Sequence, residues 1–290
     1  MQDYADNFRV IFFFGLLGAV LLWIAKANGF FILPRSKDTR KPPVTLQTVI
    51  VVFVIYLTMT MVVAPILVRM FQSFYAIFSA QQPPTAFVGW IQLFILLSIM
   101  LFFYLYSQAQ EPELFKRIWK DRKIPHSKSI LTDFLMGVMT WVISFPLVVA
   151  LGQVADLILY LLFKFENYEQ VAVRYLKTTL GSPPLLAVAL FTILIAAPVI
   201  EEFLFRGCLQ NFFKRYMIPR NAIIFSALCF SLFHFAPSQG IGNISLVASL
   251  FLFALFLGFI YERQGSLFAS IGLHMTFNAV STFRILSFPD

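Results

Sequence analysis

The sequence predicts an all-α, polytopic membrane protein, a single integral-membrane domain over residues 1–290 built as a bundle of about eight transmembrane helices. Hydrophobic side chains make up 59% of the chain and charged side chains only 12%, whereas soluble globular domains average roughly 45–50% apolar and about 25% charged residues. A soluble domain of this composition would lack polar surface to cover its core, and a disordered chain would be less hydrophobic and more charged. The composition therefore predicts an integral membrane protein.

The apolar runs are long and continuous, which favours helices over a transmembrane barrel. Barrel strands alternate apolar and polar residues over about 10 positions, but this chain contains apolar runs such as 51–67 and 246–260. Helices are then the remaining way to satisfy backbone groups in lipid. At roughly 20 residues a crossing, the runs predict spans at 9–26, 46–68, 86–107, 130–151, 185–210, 220–235, 244–261 and 267–286. The fourth run continues through 157–163 as a second short piece or a bent extension.

The basic residues sort by connection, which predicts the topology. Fifteen Lys and Arg residues lie in the connections after the first, third, fifth and seventh spans, and six lie on the opposite side. Under the positive-inside rule the first set faces the cytoplasm and both termini lie outside. The formal net charge of +8 therefore reflects topology, so membrane lipids and no nucleic acid are the expected partners. The sequence carries no signal for the oligomeric state.

Ionisable and amide side chains inside the predicted spans are few. An ionisable group at bilayer depth costs at least about 2.5–3.5 kcal/mol, so each one needs a partner or a function. Glu202 and Arg206 are four residues apart on one helix face, which predicts an ion pair. Glu201 is rotated by about 100° and has no partner on its own helix, so it is the candidate general base. The complete set in the fifth, sixth and eighth spans is Glu201, Glu202, Arg206, His234, His274 and Asn278.

Helix lengths predict that these side chains lie at one depth. The fifth and sixth spans turn near residues 217–219, and Glu201 and His234 each lie about 16 residues from that turn, or roughly 24 Å along antiparallel helices. His274 and Asn278 lie about 14 and 20 Å along the eighth span and share a face. We therefore expect the four groups to converge.

A converging acid, two imidazoles and an amide predict a buried hydrolytic site. Glu201 would activate water, His234 would share the water or its proton, and His274 and Asn278 would donate to a developing oxyanion. The alternative is a purely structural role, in which a Glu–His pair and an Asn hydrogen bond hold neighbouring helices together, as polar side chains do in membrane bundles. Carboxylates and imidazoles also bind zinc, so Glu201, Glu202, His234 and His274 are candidate ligands. The HExxH signature is absent, and a metal-free mechanism remains equally open.

The three motifs also resemble those of a known family. Glu201-Glu202-x-x-x-Arg206, Phe230-x-x-x-His234 and His274-x-x-x-Asn278 occur in this order, as in the type II CAAX prenyl protease and bacteriocin-processing family of intramembrane endopeptidases. The similarity covers residues 185–281, the predicted catalytic motif region, whereas the first 180 residues are similar only in being membrane helices.

The resemblance implies an eight-helix protease with Glu201 as water activator, His234 as its partner, and His274 with Asn278 on the oxyanion side. Glu202 and Arg206 would support the first glutamate. Members of the family are described both as metalloproteases and as glutamate-dependent proteases, so zinc at Glu201, His234 and His274 and a metal-free mechanism both stay open. Eukaryotic members remove the tripeptide from prenylated CAAX termini, and many bacterial relatives have other or unknown substrates, including roles in bacteriocin maturation and immunity. A peptide or lipidated protein is therefore the expected substrate. A proton-coupled or ion-coupled transporter and a non-catalytic immunity or scaffold protein remain the alternatives.

Overall fold

The computed structural model describes residues 2–34, 42–78, 85–110, 118–120, 129–164 and 171–288. These residues form helices, and the part of the chain described contains no β-strand, only an isolated bridge between Lys120 and Ser266. The predicted all-α class is therefore confirmed. Much of the basic sequence in the first and third connections lies outside the described residues.

Eleven helices carry the labels α1 to α11 here. Two π-helical segments, Met59–Val63 and Thr192–Ala196, join α2 to α3 and α7 to α8, and a third, Phe203–Gln210, extends α8 into a last turn at Asn211–Phe213. The helices are α1 (Gln2–Ala27), α2 (Leu46–Thr58), α3 (Ala64–Phe78), α4 (Thr85–Ala109), α5 (Ile130–Phe163), α6 (Val171–Thr179), α7 (Pro183–Phe191), α8 (Ala197–Glu202), α9 (Pro219–Phe233), α10 (Asn243–Gln264) and α11 (Leu267–Ser287).

Each predicted span coincides with a helical segment, but only six segments in the described ranges are long and apolar enough to cross a bilayer. These six are Asn7–Ala27, Leu46–Ile77, Phe87–Ala109, Ile130–Phe163, Pro183–Phe213 and Pro237–Gln264. α9 has 15 residues and is about 22 Å long, less than the roughly 30 Å hydrocarbon core. α11 has 21 residues but carries the polar eighth-span motif. The structure thus supports six of the eight predicted spans by length and composition, and α9 and α11 complete the bundle.

The fourth predicted span and its extension form one helix. Ser129 caps the start of α5, because its side chain accepts a hydrogen bond from the backbone N–H of Thr132 at 3.0 Å, which satisfies one of the first free N–H groups. The helix then continues through Gly152 and Asp156 to Phe163 without a break. The extension is therefore part of the span, not a separate piece.

Two spans contain a π-helical segment that is followed by the sequence Ala-Pro. Met59–Val63 precedes Pro65 by one residue, and Thr192–Ala196 precedes Pro198 in the same way. Proline lacks an N–H and its ring clashes with the carbonyl four residues before it, and a π segment relieves the clash because its carbonyls pair five residues on. The carbonyl of Ile193 then faces Pro198, which has no N–H to donate.

α5 and α11 approach each other closely at two glycines. A Cβ atom at Gly137 would meet backbone atoms of Ala269 and Leu273, and one at Gly272 would meet the backbone of Phe134. Small residues at a crossing let backbones approach in membrane bundles, where packing and not the hydrophobic effect drives association. This crossing therefore fixes the position of α11, which carries His274 and Asn278.

The four connections predicted to face the cytoplasm lie together at one end of the bundle. Hydrogen bonds join them in pairs: Arg215 Nη1 donates to Val44 O at 3.1 Å, Arg263 Nε to Phe30 O at 2.9 Å, and Tyr261 Oη to Ile118 O at 3.3 Å. The connections that the distribution of Lys and Arg assigns to one side therefore lie at the same end of the helix bundle. The side of the bilayer that this end faces stays a prediction.

A bulkier residue at the α5–α11 crossing should destabilise the protein. In Gly137→Ala the added methyl group meets α11 backbone atoms, and we expect a loss of about 1–3 kcal/mol, as for overpacked interiors. The measurement is thermal unfolding of the purified protein in detergent. The control is Gly15→Ala, because a Cβ at Gly15 meets nothing within 4 Å. Equal unfolding temperatures for the two variants would contradict the close contact.

Candidate active site

The first motif lies where α8 changes into a π-helical segment. Glu201 and Glu202 are the last two residues of α8, and Phe203–Gln210 follows with the wider π geometry. The wider turn leaves carbonyls without their usual partners, and the side-chain amide of Asn211 donates to the carbonyl of Arg206 at 3.3 Å. The irregular backbone is therefore stabilised by side chains buried in the protein, as membrane depth requires.

Glu202 forms a fully buried ion pair with Arg206, as the four-residue spacing predicts. Arg206 Nη1 donates to Glu202 Oε1 at 3.1 Å, and both side chains have 0% exposure. The second terminal nitrogen of Arg206 donates to Ala254 O on α10 at 3.1 Å. The pair thus ties α8 to α10, and each charge has a hydrogen-bonded partner, without which its burial would be strongly unfavourable.

Glu202 also holds the imidazole of His274 on α11. His274 Nδ1 lies 2.8 Å from the same Oε1 atom that Arg206 contacts. The family resemblance implies that Glu202 and Arg206 support Glu201, but the hydrogen bonds of Glu202 go to Arg206 and His274. The ion pair therefore contacts His274 directly, and the support of Glu201 by Glu202 and Arg206 stays a prediction.

Glu201 lies between the two imidazoles. Its Oε2 atom is 3.6 Å from His234 Nε2 and 3.9 Å from His274 Nε2. This oxygen is buried and has no hydrogen-bond partner. The predicted level of Glu201 and His234 on neighbouring antiparallel helices is therefore observed, and His274 joins them from α11.

The hydrogen bonds of the imidazoles determine which ring nitrogens face Glu201. His234 Nδ1 lies 2.8 Å from the carbonyl of Phe230, and His274 Nδ1 lies 2.8 Å from the carboxylate of Glu202. Carbonyls and carboxylates only accept, so each Nδ1 must carry the proton it donates. In a neutral imidazole Nε2 is then the unprotonated nitrogen. Both Nε2 atoms lie within 3.9 Å of the same oxygen of Glu201.

Asn278 lies near this group, but its hydrogen bond goes to the backbone. Its Nδ2 atom donates to Ile193 O at 2.8 Å, the carbonyl that Pro198 leaves without a donor. Asn278 is four residues from His274 on α11, about 6 Å along the helix. The expected convergence of four groups therefore holds for Glu201 and both histidines, whereas Asn278 lies one turn away and supports the π segment.

The candidate zinc ligands come close together without the geometry of a metal site. The nearest donor atoms, Glu201 Oε2 and the Nε2 atoms of His234 and His274, are of the kind that zinc binds. Within the described ranges, however, no group of three or more His, Cys, Asp or Glu side chains is arranged to hold a metal ion. Zinc binding by Glu201, His234 and His274 therefore stays an expectation from the sequence.

The contribution of Pro198 and the Ile193 carbonyl was not predicted from the motifs. The sequence does carry a signal for it, because the Ala-Pro pair lies three residues before Glu201 and recurs after the π segment of the second span. A proline inside a span predicts a carbonyl without a donor and a neighbouring polar group that pairs with it. Asn278 is that polar group.

Fold and site together define an integral, multi-pass membrane protein whose polar centre joins acidic and imidazole side chains from three helical segments. Residues 183–280 match the family described as Rce1-like, type II CAAX prenyl endopeptidase Rce1-like. The match covers about a third of the chain and includes all three motifs, so the resemblance predicted from the motifs is confirmed and supports a protease. No curated protein and no solved structure matches the chain.

Removing the charge of Glu202 should destabilise the fold more than removing that of Glu201. Glu202→Gln leaves Arg206 buried without its hydrogen-bonded counter-charge, and we expect a loss of about 3–5 kcal/mol, as for one partner removed from a buried pair. Glu201→Gln breaks no hydrogen bond of the ion pair, so its stability should stay within about 1 kcal/mol of wild type. Thermal unfolding in detergent compares these adjacent residues directly. A larger loss for Glu201→Gln would reverse the assigned roles.

Proposed function

We propose that the chain is an intramembrane endopeptidase in which Glu201 activates a water molecule that hydrolyses a peptide bond near the C-terminus of a lipid-modified, CAAX-like substrate. The family match supports the protease class and this type of substrate. One geometric observation carries the mechanism: a buried carboxylate oxygen of Glu201 has no hydrogen-bond partner and faces two imidazole Nε2 atoms. A buried carboxylate beside two imidazoles is a set of groups that can bind and activate a water molecule.

Glu201 and His234 act on the attacking water. Glu201 accepts one proton of the water as general base while the oxygen attacks the carbonyl carbon, a role for which carboxylates are suited when they are positioned. His234 Nε2 accepts the second hydrogen bond of the water, because its Nδ1 proton is held by the carbonyl of Phe230. Glu201 then delivers the proton to the leaving amine as the C–N bond breaks, which balances the hydrolysis.

The ion pair positions His274 on the oxyanion side of the reacting carbonyl, because Glu202 holds its Nδ1 atom. His274 keeps its Nδ1 proton on Glu202 and, when protonated, donates from Nε2 to the oxyanion. Donors placed where charge develops are the strongest single source of catalysis in acyl transfer.

Asn278 is the second oxyanion donor of the proposal. An amide nitrogen has two N–H groups, and one of them donates to Ile193 O. The second is free to donate to substrate, and the first bond fixes the plane of the amide. Asn278 thus contributes to the π segment and to the oxyanion site with one side chain.

Loss of cleavage in Glu201→Gln is the primary expectation. The assay uses protein in detergent or proteoliposomes with a prenylated CAAX peptide, an unprenylated copy and a library of tagged peptides. Replacing the base with an amide of the same shape should reduce kcat by about 10²- to 10⁴-fold, with the fold unchanged. Full cleavage by this variant would exclude Glu201 as the water activator.

Two further measurements belong to the same experiment. Metal analysis of the purified protein and cleavage after treatment with a chelator distinguish a water-only mechanism, which survives chelation, from a metal-dependent one. Proton or solute flux in proteoliposomes without cleavage of any peptide would favour the transporter alternative. Preference for the prenylated peptide over its unprenylated copy tests the substrate class.

Asn278→Ala should reduce kcat more than it changes KM. Loss of one oxyanion donor lowers kcat by about 10²- to 10³-fold in acyl transfer, and the free carbonyl of Ile193 should add a modest loss of stability. Thr276→Ala on the same helix is the control, because the Thr276 hydroxyl donates only to Gly272 O at 2.7 Å within α11. Similar kcat values for both variants would remove Asn278 from the oxyanion site.

A further inference from the structure

Phe230 has no part in the reaction described so far, although its ring lies among the charged groups. The residue is one turn before His234 on α9, and its exposure is 1%. The backbone carbonyl of Phe230 holds His234 Nδ1, a contact that any residue at this position would supply. The aromatic ring therefore needs a separate explanation.

The ring lies close to the guanidinium group and to the two imidazoles. Arg206 Cζ is 4.5 Å from the centroid of the Phe230 ring. The His234 and His274 rings lie 4.6 and 6.0 Å from the same centroid. A cation over an aromatic face within about 6 Å is attracted by the ring quadrupole, most strongly when both are removed from water. The ring thus binds Arg206 and contacts both histidines.

Arg206 has two carboxylates within its electrostatic reach. It interacts with Glu201 as well as with Glu202, and its Nε atom has no hydrogen-bond partner. A bidentate pair with Glu201 would give the guanidinium more hydrogen bonds, but it would occupy the carboxylate that activates water. Hydrogen bonds to Glu202 and to Ala254 O hold Arg206 on the Glu202 side. The Phe230 ring adds a contact on the face of the same guanidinium group.

We propose that the Phe230 ring is a positioning group that holds Arg206 on Glu202 and leaves Glu201 to His234 and the attacking water. This inference rests on the proposed function, because it assigns a residue to the same reaction. Phe230 acts through Arg206 and touches neither water nor substrate. Its effect should therefore appear in kcat and leave KM unchanged.

The test changes the electrostatics of the ring without changing its packing. Phenylalanine analogues with one, two and three fluorine atoms are incorporated at position 230, since fluorination weakens cation binding to the ring while the shape is nearly kept. We expect kcat to fall stepwise, by roughly tenfold in total for a contact of this kind, at constant KM. Phe230→Leu, which keeps the backbone carbonyl, should lose at least as much.

Phe205 provides the matched control. It is equally buried, at 1% exposure, and its ring packs against Phe53, Phe230 and Phe233 at 5.1–5.4 Å. The same fluorinated analogues at position 205 should leave kcat unchanged. A constant kcat at position 230, or an equal fall at position 205, would overturn the inference while wild-type cleavage upholds the proposed function. Absence of cleavage by the wild type would overturn both.

Discussion

The buried pair of Glu202 and Arg206 is the interaction on which the rest of the site depends. Both side chains have 0% exposure inside a segment long and apolar enough to span a bilayer, where an unpaired charge is strongly unfavourable. Their mutual hydrogen bond neutralises them, and their remaining bonds reach Ala254 on α10 and His274 on α11. Neutralising these charges therefore also brings three helical segments into register.

Backbone geometry also positions the residues of the site, in addition to the buried ion pair. The close contact of α5 with α11 at Gly137 and Gly272 brings α11 near enough for His274 to reach Glu202. The π segment before Pro198 frees the carbonyl that Asn278 binds. Neither the α5–α11 crossing nor the π segment carries a charge or a chemical role, yet the distances within the site depend on both. Packing and irregular backbone are therefore part of the site.

The sequence predicts the parts of this arrangement that depend on spacing along one helix or around one turn. Helical spans, the Glu202–Arg206 pair and the common level of Glu201 and His234 all follow from residues per turn and rise per residue. The partner of His274 and the hydrogen bond of Asn278 do not, because they depend on the rotation of α11 about its axis. Glycine contacts with α5 set that rotation, and π segments change the phase of α8, which carries Glu202, without a clear hydropathy signal.

The adjacent carboxylates of Glu201 and Glu202 differ in their exposure to solvent. The Glu202 side chain is fully buried, His274 is 6% exposed, Glu201 is 15% exposed and His234 is 29% exposed. Exposure therefore rises from the ion pair toward His234, which is the side from which the proposed mechanism would admit water and substrate. A carboxylate beyond the reach of water serves to hold its neighbours, whereas one at the boundary retains an oxygen for reaction. Two consecutive residues suffice for both roles because successive positions on a helix point about 100° apart, one into the packed interior and the other toward the accessible side.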